Sequence, residues 1–333
     1  MTNPLRVLFV GGTGVISSAC SRRAVEIGID LTVLNRGSST VRSLPAGVRT
    51  LRADVRKPEQ MRSALEGKDF DVVVDWLAFT PDHIRADIDL FAGRTGQFVF
   101  ISSASAYQTP PGRLPILEST PLRNPVWQYS QDKIACEDEL VRAYREDGFP
   151  ATIVRPSHTY DRTSLPFQGG WTVVDRMRRG KEVVVHGDGS SLWVLTHSTD
   201  FAKGFVGLLG THRAVGESFH ITSDETLSWD RIHHLVAAAA GVEARLVHVP
   251  SDNIAAVDAE WGASLLGDKT HSVIFDNTKL RTVVPESMAT IPFARGAREI
   301  VDWYDAHESR RTTDRRLDTT MDELIEAYRP HRP

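Results

Sequence analysis

The sequence predicts an α/β protein built on a Rossmann-type, doubly wound parallel sheet, with a smaller mixed α/β lobe towards the C-terminus. Three observations predict it. Short apolar, largely β-branched runs alternate with helical windows through the first 160 or so positions. The first run ends in a glycine turn, Gly11-Gly12-Thr13-Gly14, that opens a helix. From about Glu217 the elements become shorter and mixed.

Composition narrows the classes. A chain of 333 residues has room for one large or two modest domains. Its net charge of −4 offers no attraction to nucleic acid or an anionic membrane, and no apolar run reaches membrane-spanning length. Only seven of the 39 basic residues are lysine, so clusters such as 176–179 and 310–316 reflect a general use of arginine and are not read as phosphate sites. Cys20 and Cys136 fall in helical windows and read as core thiols of a reducing compartment. The twelve histidines show no metal-ligand spacing, so no metal is expected. The N-terminus runs into a strand without signal-peptide features, and the cytoplasm is the expected location.

Residues 5–10 form the first strand, and the helix after the glycine turn runs to about 27, where Gly28 closes it. Gly11, Thr13, Gly14, Val15 and Ile16 then either cradle the pyrophosphate of a dinucleotide or make a tight strand-to-helix turn. Strands follow at 31–34, 48–51, 72–74 and 98–101, with helices at 58–65 and 81–91. The run Val72-Val73-Val74 is what a parallel strand covered on both faces looks like. After the second strand stand Asn35 and Arg36, where an acid for a ribose hydroxyl is expected. A cation there tilts the choice towards NADP over NAD; stacking of Arg36 on adenine is the alternative. Asp54 and Val55 follow the third strand, near the adenine edge, or Asp54 starts a turn. Leu77 and Ala78 follow the fourth, facing the same crevice.

The fifth strand ends in Ser102-Ser103-Ala104-Ser105-Ala106-Tyr107, and Tyr129 and Lys133 lie four apart on a helix reaching about Asp147. That spacing puts both side chains on one face, with Cβ atoms roughly 5–6 Å apart. A neighbouring ammonium favours the phenolate and pulls its pKa towards neutrality, giving a general acid/base. A solvated helix face is the alternative. Ser103 is then placed to hold a substrate oxygen beside Tyr129.

Four further features join these. Arg155-Pro156 ends a sixth strand, Gly187-Asp188-Gly189 makes a turn, Asp276-Asn277-Thr278-Lys279-Leu280 lies near the end, and 98–107 reads Phe-Val-Phe-Ile-Ser-Ser-Ala-Ser-Ala-Tyr. With them the chain, from about Leu5 to His307, resembles the extended short-chain dehydrogenase/reductase family, the NAD-dependent epimerase/dehydratase group. The resemblance implies NAD or NADP as coenzyme, a carbohydrate-like small molecule as substrate, and a homodimer. It makes Ser103 the hydroxyl partner, Tyr129 the acid/base, and Lys133 the ribose ligand that lowers the tyrosine pKa. It implies epimerisation through a transient ketone as the first reading and net dehydrogenation or reduction as the alternative. A non-catalytic RNA-binding or regulatory member is a third reading. The chain departs from the pattern where a diphosphate is gripped. Trp193 stands in one arginine's place, and Ser264-Leu265-Leu266-Gly267-Asp268 holds no arginine at the other. A substrate without a nucleotide diphosphate is therefore expected. Ala104-Ser105 replaces the Asp-Glu pair of the 4,6-dehydratases, so elimination lacks its acid and base.

Towards the C-terminus, 151–155 is a strand, and the polar loop after it offers Pro156 and His158 to the nicotinamide. Expected substrate contacts are Ser103, Ser105, Tyr107, His158, Tyr160, Arg162, Trp171 and Trp193, with 168–171 as part of a lid. Short strands at 183–186 and 192–196 bracket a turn, and Asp200 reads as a helix cap. A strand at 218–222, a helix at 230–240, a strand at 245–249 and a helix at 254–266 make the second lobe. Trp229, Trp261 and Trp303 read as core, Trp127, Trp171 and Trp193 as cleft residues. Leu317, Met321, Leu324, Ile325 and Tyr328 form one apolar stripe on a last helix that docks on its own chain, or else on a second subunit. The expected division is 1–160 with segments around 183–222 for the dinucleotide, 161–182 and 223–307 for the substrate, and 308–333 as an extension.

Overall fold

A computed structural model describes residues 3–37 and 41–328; the last five residues of the expected 308–333 extension lie outside them. The first half runs β1 (Arg6–Val10), α1 (Val15–Glu26), β2 (Asp30–Asn35), β3 (Arg49–Arg52), α2 (Pro58–Ala64), β4 (Val72–Asp75), α3 (Pro81–Phe91), β5 (Gln97–Ile101), α4 (Gln128–Asp147), β6 (Ala151–Pro156) and β7 (His158–Tyr160). Next come α5 (Trp171–Arg178), β8 (Val183–His186), β9 (Leu192–Trp193), β10 (Leu195–His197), α6 (Ser198–Leu208), β11 (Ser218–Ile221), β12 (Leu227–Ser228) and α7 (Trp229–Ala239). The chain finishes with β13 (Leu246–Val249), α8 (Ser251–Val257), α9 (Ala259–Ser264), α10 (Thr278–Val283), α11 (Phe293–Asp305) and α12 (Arg315–Tyr328).

Seven parallel strands form the main sheet in the order β3-β2-β1-β4-β5-β6-β11. Alternation along each strand feeds two cores, which is why the strands read as unbroken apolar runs. Val7 and Phe9 face α1 and α6 with Cys20, Phe201 and Phe205. Leu8 and Val10 face α2, α3 and α4 with Met61, Ile84, Cys136 and Leu140. The order reverses between β1 and β4, whose ends are in register at Val10 and Asp75, and a crevice opens there beyond the carboxyl ends.

The second lobe is built on the parallel pair β8–β13, walled by α5, α7, α9 and α12. The bracketed strands at 183–186 and 192–196 make no hairpin. β8 pairs with β13, while the later segment splits into β9, paired antiparallel with β12, and β10, paired with β7. The single helix expected at 254–266 is two. Asp258 accepts the Trp261 N–H at 3.0 Å and starts α9, and a π-helical turn, Leu265–Lys269, follows. His197, not Asp200, caps α6, its Nδ1 accepting Thr199 N–H at 3.2 Å. Asp200 instead receives the Thr290 and Ile291 N–H groups at 2.9 and 2.8 Å and ties that loop to the helix. α12 lays Leu317, Met321, Leu324 and Ile325 into the second lobe of its own chain. Arg176, 1% exposed, pins it through Asp318 and Asp322 at 2.5 and 2.7 Å.

Candidate active site

Two cavities meet the carboxyl ends of the sheet. The larger, about 770 Å³, follows the glycine turn and is lined by Gly11, Thr13, Gly14, Ile16, Asn35, Arg36, Asp54, Val55 and Leu77 among others. The turn leaves no room for side chains at Gly11 and Gly12. Gly12 has φ +145, and a Cβ there would meet Val33 Cγ1 at 2.9 Å; at Gly11, φ +96, it would meet Leu77 Cγ at 3.2 Å. Ser17, buried in the first turn of α1, accepts the Gly14 N–H at 2.8 Å and secures the turn against the helix. Asn35 is engaged locally, its Oδ1 accepting the Gly37 N–H at 2.8 Å. Val15 and Ala78 are not on this wall. Val15 opens α1, and Ala78 is buried, with its N–H on Asp75 at 2.9 Å and its carbonyl on Lys133.

The second cavity, about 350 Å³, is bounded by Ser103, Ser105, Trp127, Tyr129, Pro156, His158, Trp193 and Asp268 with others. Three elements place its reactive side. The backbone turns at the end of β5, where Ser102 faces the interior and donates to Glu137 at 2.5 Å, leaving Ser103 at the cavity. α4 starts at Gln128 without a side-chain cap of its own. Asn124 supplies the missing contacts, accepting the Val126 and Trp127 N–H groups at 3.2 and 3.0 Å and donating to the Ser105 and Gly267 carbonyls at 3.0 and 2.6 Å. One buried carboxamide therefore sets Tyr129, the serine turn and the π-helical turn against one another. The sequence signal was available, as Asn-Pro before a helical window is a turn starter.

A hydroxyl relay runs into the cavity. Ser130 Oγ donates to Ser105 Oγ at 2.7 Å, Ser105 Oγ lies 2.9 Å from Ser103 Oγ, and Ser105 N–H also donates to Ser103. Run in that direction, the relay leaves the Ser103 proton for an oxygen in the cavity. His158 Nδ1 accepts the Trp193 indole N–H at 3.1 Å, and burial lowers the imidazole pKa to about 3. It is a neutral ring with its Nε2–H as the remaining donor.

Lys133 differs from expectation. It is 2% exposed, and its Nζ donates to the Ala78 and Ile101 carbonyls, both at 2.7 Å, over the Phe79 and Phe100 rings. Burial lowers its pKa to about 8. It does not pull down the tyrosine. Burial raises the Tyr129 pKa, Ser103 opposes that through hydrogen bonding, and the Asp268 charge adds to the rise. The ammonium is held by carbonyls 5.9 Å from the centre of the Tyr129 ring, so desolvation decides.

Asp268 and Lys269 were missed, since nothing in the periodicity announces a π-helical turn. Their charged atoms lie 3.7 Å apart, and Lys269 Nζ sits 5.3 Å from the Trp127 ring centre. Burial pushes the Asp268 pKa from 3.8 up to about 6. A raised folded value means full stability below about pH 4, with a loss as pH rises through 6. Asp268→Asn is therefore expected to stabilise the fold by about 1–3 kcal/mol at pH 8 and by nothing near pH 4, measured by urea unfolding. An equal effect at both values would rule this out.

Four expected substrate residues lie elsewhere. Tyr107 is buried, 3.0 Å from His220 Nδ1 and under the Arg155 guanidinium. Tyr160 packs edge-on against Phe293 and His197 in the second lobe. Trp171 stacks on Tyr304 at 4.7 Å. Arg162 is exposed at a separate hollow beside Trp303 and Arg310. Aromatic residues near a motif have the same sequence signature whether they face a cleft or fill a core.

The sequence of residues 83–222 matches the profile of the NAD dependent epimerase/dehydratase family. That stretch of the chain is similar to the family. It is 28% identical over 269 residues to 2'-dehydrokanamycin reductase of Streptomyces kanamyceticus, covering 79% of this chain and 72% of that one. It is 25% identical over 256 residues to chloroplast stem-loop binding protein of 41 kDa b of Arabidopsis thaliana, covering 73% of this chain and 65% of the relative, just under two thirds. A Thermotoga maritima UDP-glucose 4-epimerase solved with UDP-glucose superposes with a TM-score of 0.73 at 19% identity, over 90% of this chain and 98% of that one, which shows the shared fold. Members of the epimerase/dehydratase family use NAD(P). The glycine cradle and the start of α1 fit such a dinucleotide. Among the described residues no cluster of three or more His, Cys, Asp or Glu could hold a metal, and no helix is long and apolar enough to cross a membrane.

Proposed function

We propose that the chain is an NAD(P)-dependent oxidoreductase that interconverts a carbinol and a ketone on a carbohydrate-like substrate carrying no diphosphate. The observation that carries this reading is the joining of Ser103 and Tyr129 on one wall of a cavity whose only charged side chains, Asp268 and Lys269, already pair with each other. A bound nicotinamide coenzyme supplies the hydride donor or acceptor. Ser103 holds the substrate oxygen by donating the relay proton, and Tyr129 passes a proton to or from that same oxygen. With its pKa raised, Tyr129 is a phenol at neutral pH, which suits protonation of the oxygen as a ketone is reduced.

Net reduction is favoured over epimerisation. An epimerase keeps its ketone while the ring turns over, which requires a firm hold on a flexible, non-reacting part. No guanidinium lines the catalytic cavity to grip a diphosphate. The relative of similar length that is named a reductase supports the same choice. The test is absorbance at 340 nm with NADPH or NADH and a set of ketosugars and their glycosides. Stoichiometric coenzyme oxidation is expected. Turnover with retained coenzyme and no net oxidation would mean epimerisation; RNA retention without turnover would revive a non-catalytic role.

NADP is the proposed coenzyme of choice, because Arg36 and Arg52 line the adenosine end while Asn35 offers no carboxylate. NADPH should bind at least tenfold tighter than NADH. Arg36→Ala should weaken NADPH by about tenfold, or ~1.4 kcal/mol, and NADH by less than twofold in a calorimetric titration. Equal losses for both would assign Arg36 to adenine stacking.

A further inference from the structure

Behind the catalytic cavity lies another of about 350 Å³, with Trp127, His158 and Lys269 as a common wall and no lining residue shared with the dinucleotide cavity. Each is at the small end of ligand pockets, roughly 300–1,000 Å³. We infer that this second cavity holds a second, non-reacting ring of the substrate, a neutral hydroxylated ring joined directly to the one whose carbinol or ketone reacts. The inference rests on the oxidoreductase reading above.

The walls carry the chemistry of such a ring. Trp127, Trp229, Trp261 and Phe167 give flat apolar faces suited to the C–H face of a pyranose. Two histidines give acceptors. His233 Nδ1 bonds the Trp229 carbonyl at 2.8 Å and His186 Nε2 the Lys269 carbonyl at 3.0 Å, so each ring keeps its other nitrogen as a lone pair. Both histidines line the cavity. Burial keeps both rings neutral, with pKa values near 4. Acceptors for hydroxyl protons, set between aromatic faces, match a polyol ring and offer nothing to a phosphate. Lys269 is the one cation on the wall, and it faces Asp268.

The direct linkage follows from adjacency. A ring clamped between tryptophans beside the reacting ring fixes which face of the reacting carbon meets the coenzyme side. That agrees with a reaction on one face. The far wall includes Met321 of α12, so the C-terminal helix completes the site.

The experiment uses the full chain with bound NADP. Affinities of maltose, cellobiose, lactose and trehalose are compared with those of their methyl monosaccharides, UDP and UDP-glucose by saturation-transfer NMR and calorimetry. At least one disaccharide should bind tenfold or more tighter than its methyl monosaccharide. Ser264→Phe, which fills the cavity from α9, should cut that preference below twofold. Gln168→Trp narrows the same cavity from its rim and serves if the first variant does not fold. Disaccharides no tighter than single rings, a preference that survives both variants, or UDP-glucose outranking every disaccharide would overturn the inference. Failure to bind either dinucleotide would overturn the oxidoreductase reading and this inference together, whereas coenzyme binding without a two-ring preference overturns this inference alone.

Discussion

Tyr129→Phe should lower kcat by about 10²–10⁴-fold while NADP affinity changes less than twofold. The substitution removes one oxygen and keeps the ring, which lies 5.0 Å from Trp127 at the mouth of α4. Packing and the helix start therefore survive, since Asn124 and not the tyrosine holds that end. What is lost is the proton carrier. Ser103→Ala should cost less, because it removes an aligning donor but leaves the phenol in place. The two hydroxyls act on one oxygen, so their effects should be less than additive. The pH profile gives a second readout. Tyr129 has its pKa raised above the ordinary tyrosine value, so it supplies no falling limb between pH 6 and 9. Lys133 titrates at about 8, below an ordinary lysine, and its positive charge disappears as pH climbs through that value. Reduction should therefore decline above pH 8 through Lys133. A Tyr129→Phe enzyme within threefold of the parent would remove the phenol from the chemistry.

Much of this was readable in the chain, and the failures have physical causes. The parallel sheet was legible because both faces are covered, so Val72-Val73-Val74 and its fellow strands carry no polar alternation. The glycine turn was legible because its backbone angles exclude side chains. The residues of the cleft were legible where they sit at strand ends or at the first turn of a helix, as Ser103, Tyr129 and His158 do. They were not legible where tertiary packing decides. Tyr107 and Tyr160 have cleft-like neighbours in sequence and core neighbours in space. Residues 254–266 have helical periodicity throughout, yet Asp258 competes for backbone N–H groups and restarts the helix. The tyrosine–lysine spacing was right about the helix face and wrong about the electrostatics. Sequence gives the distance along a helix, not the two carbonyls that hold the ammonium.

The same helix face explains the largest stability effect to be expected. Tyr129, Lys133 and Glu137 follow one another at intervals of four along α4; Tyr129 lines the cavity, and Lys133 and Glu137 are buried. Glu137 is 2% exposed and accepts three bonds from Arg155, at 2.6, 3.0 and 3.2 Å, together with the Ser102 hydroxyl. Arg155, 6% exposed, reaches from β6 to the Glu118 carbonyl and covers the Tyr107 ring at 4.8 Å. Removing the carboxylate leaves a guanidinium buried without its counter-charge, so Glu137→Ala should cost about 3–5 kcal/mol in urea unfolding. Most of that is the stranded charge and not the worth of the pair. A double variant, Glu137→Gln with Arg155→Met, should therefore recover more than half of the loss. The pair also clamps α4 to the ends of β5 and β6, two turns from the reactive phenol. At temperatures where Glu137→Ala is still folded, kcat should fall further than NADP affinity, because the coenzyme cradle lies on α1 and the other strands. A loss under about 1 kcal/mol would mean that water reaches Arg155 once the carboxylate is gone. The orientation of Tyr129 would then have to come from Asn124 and the serine turn alone.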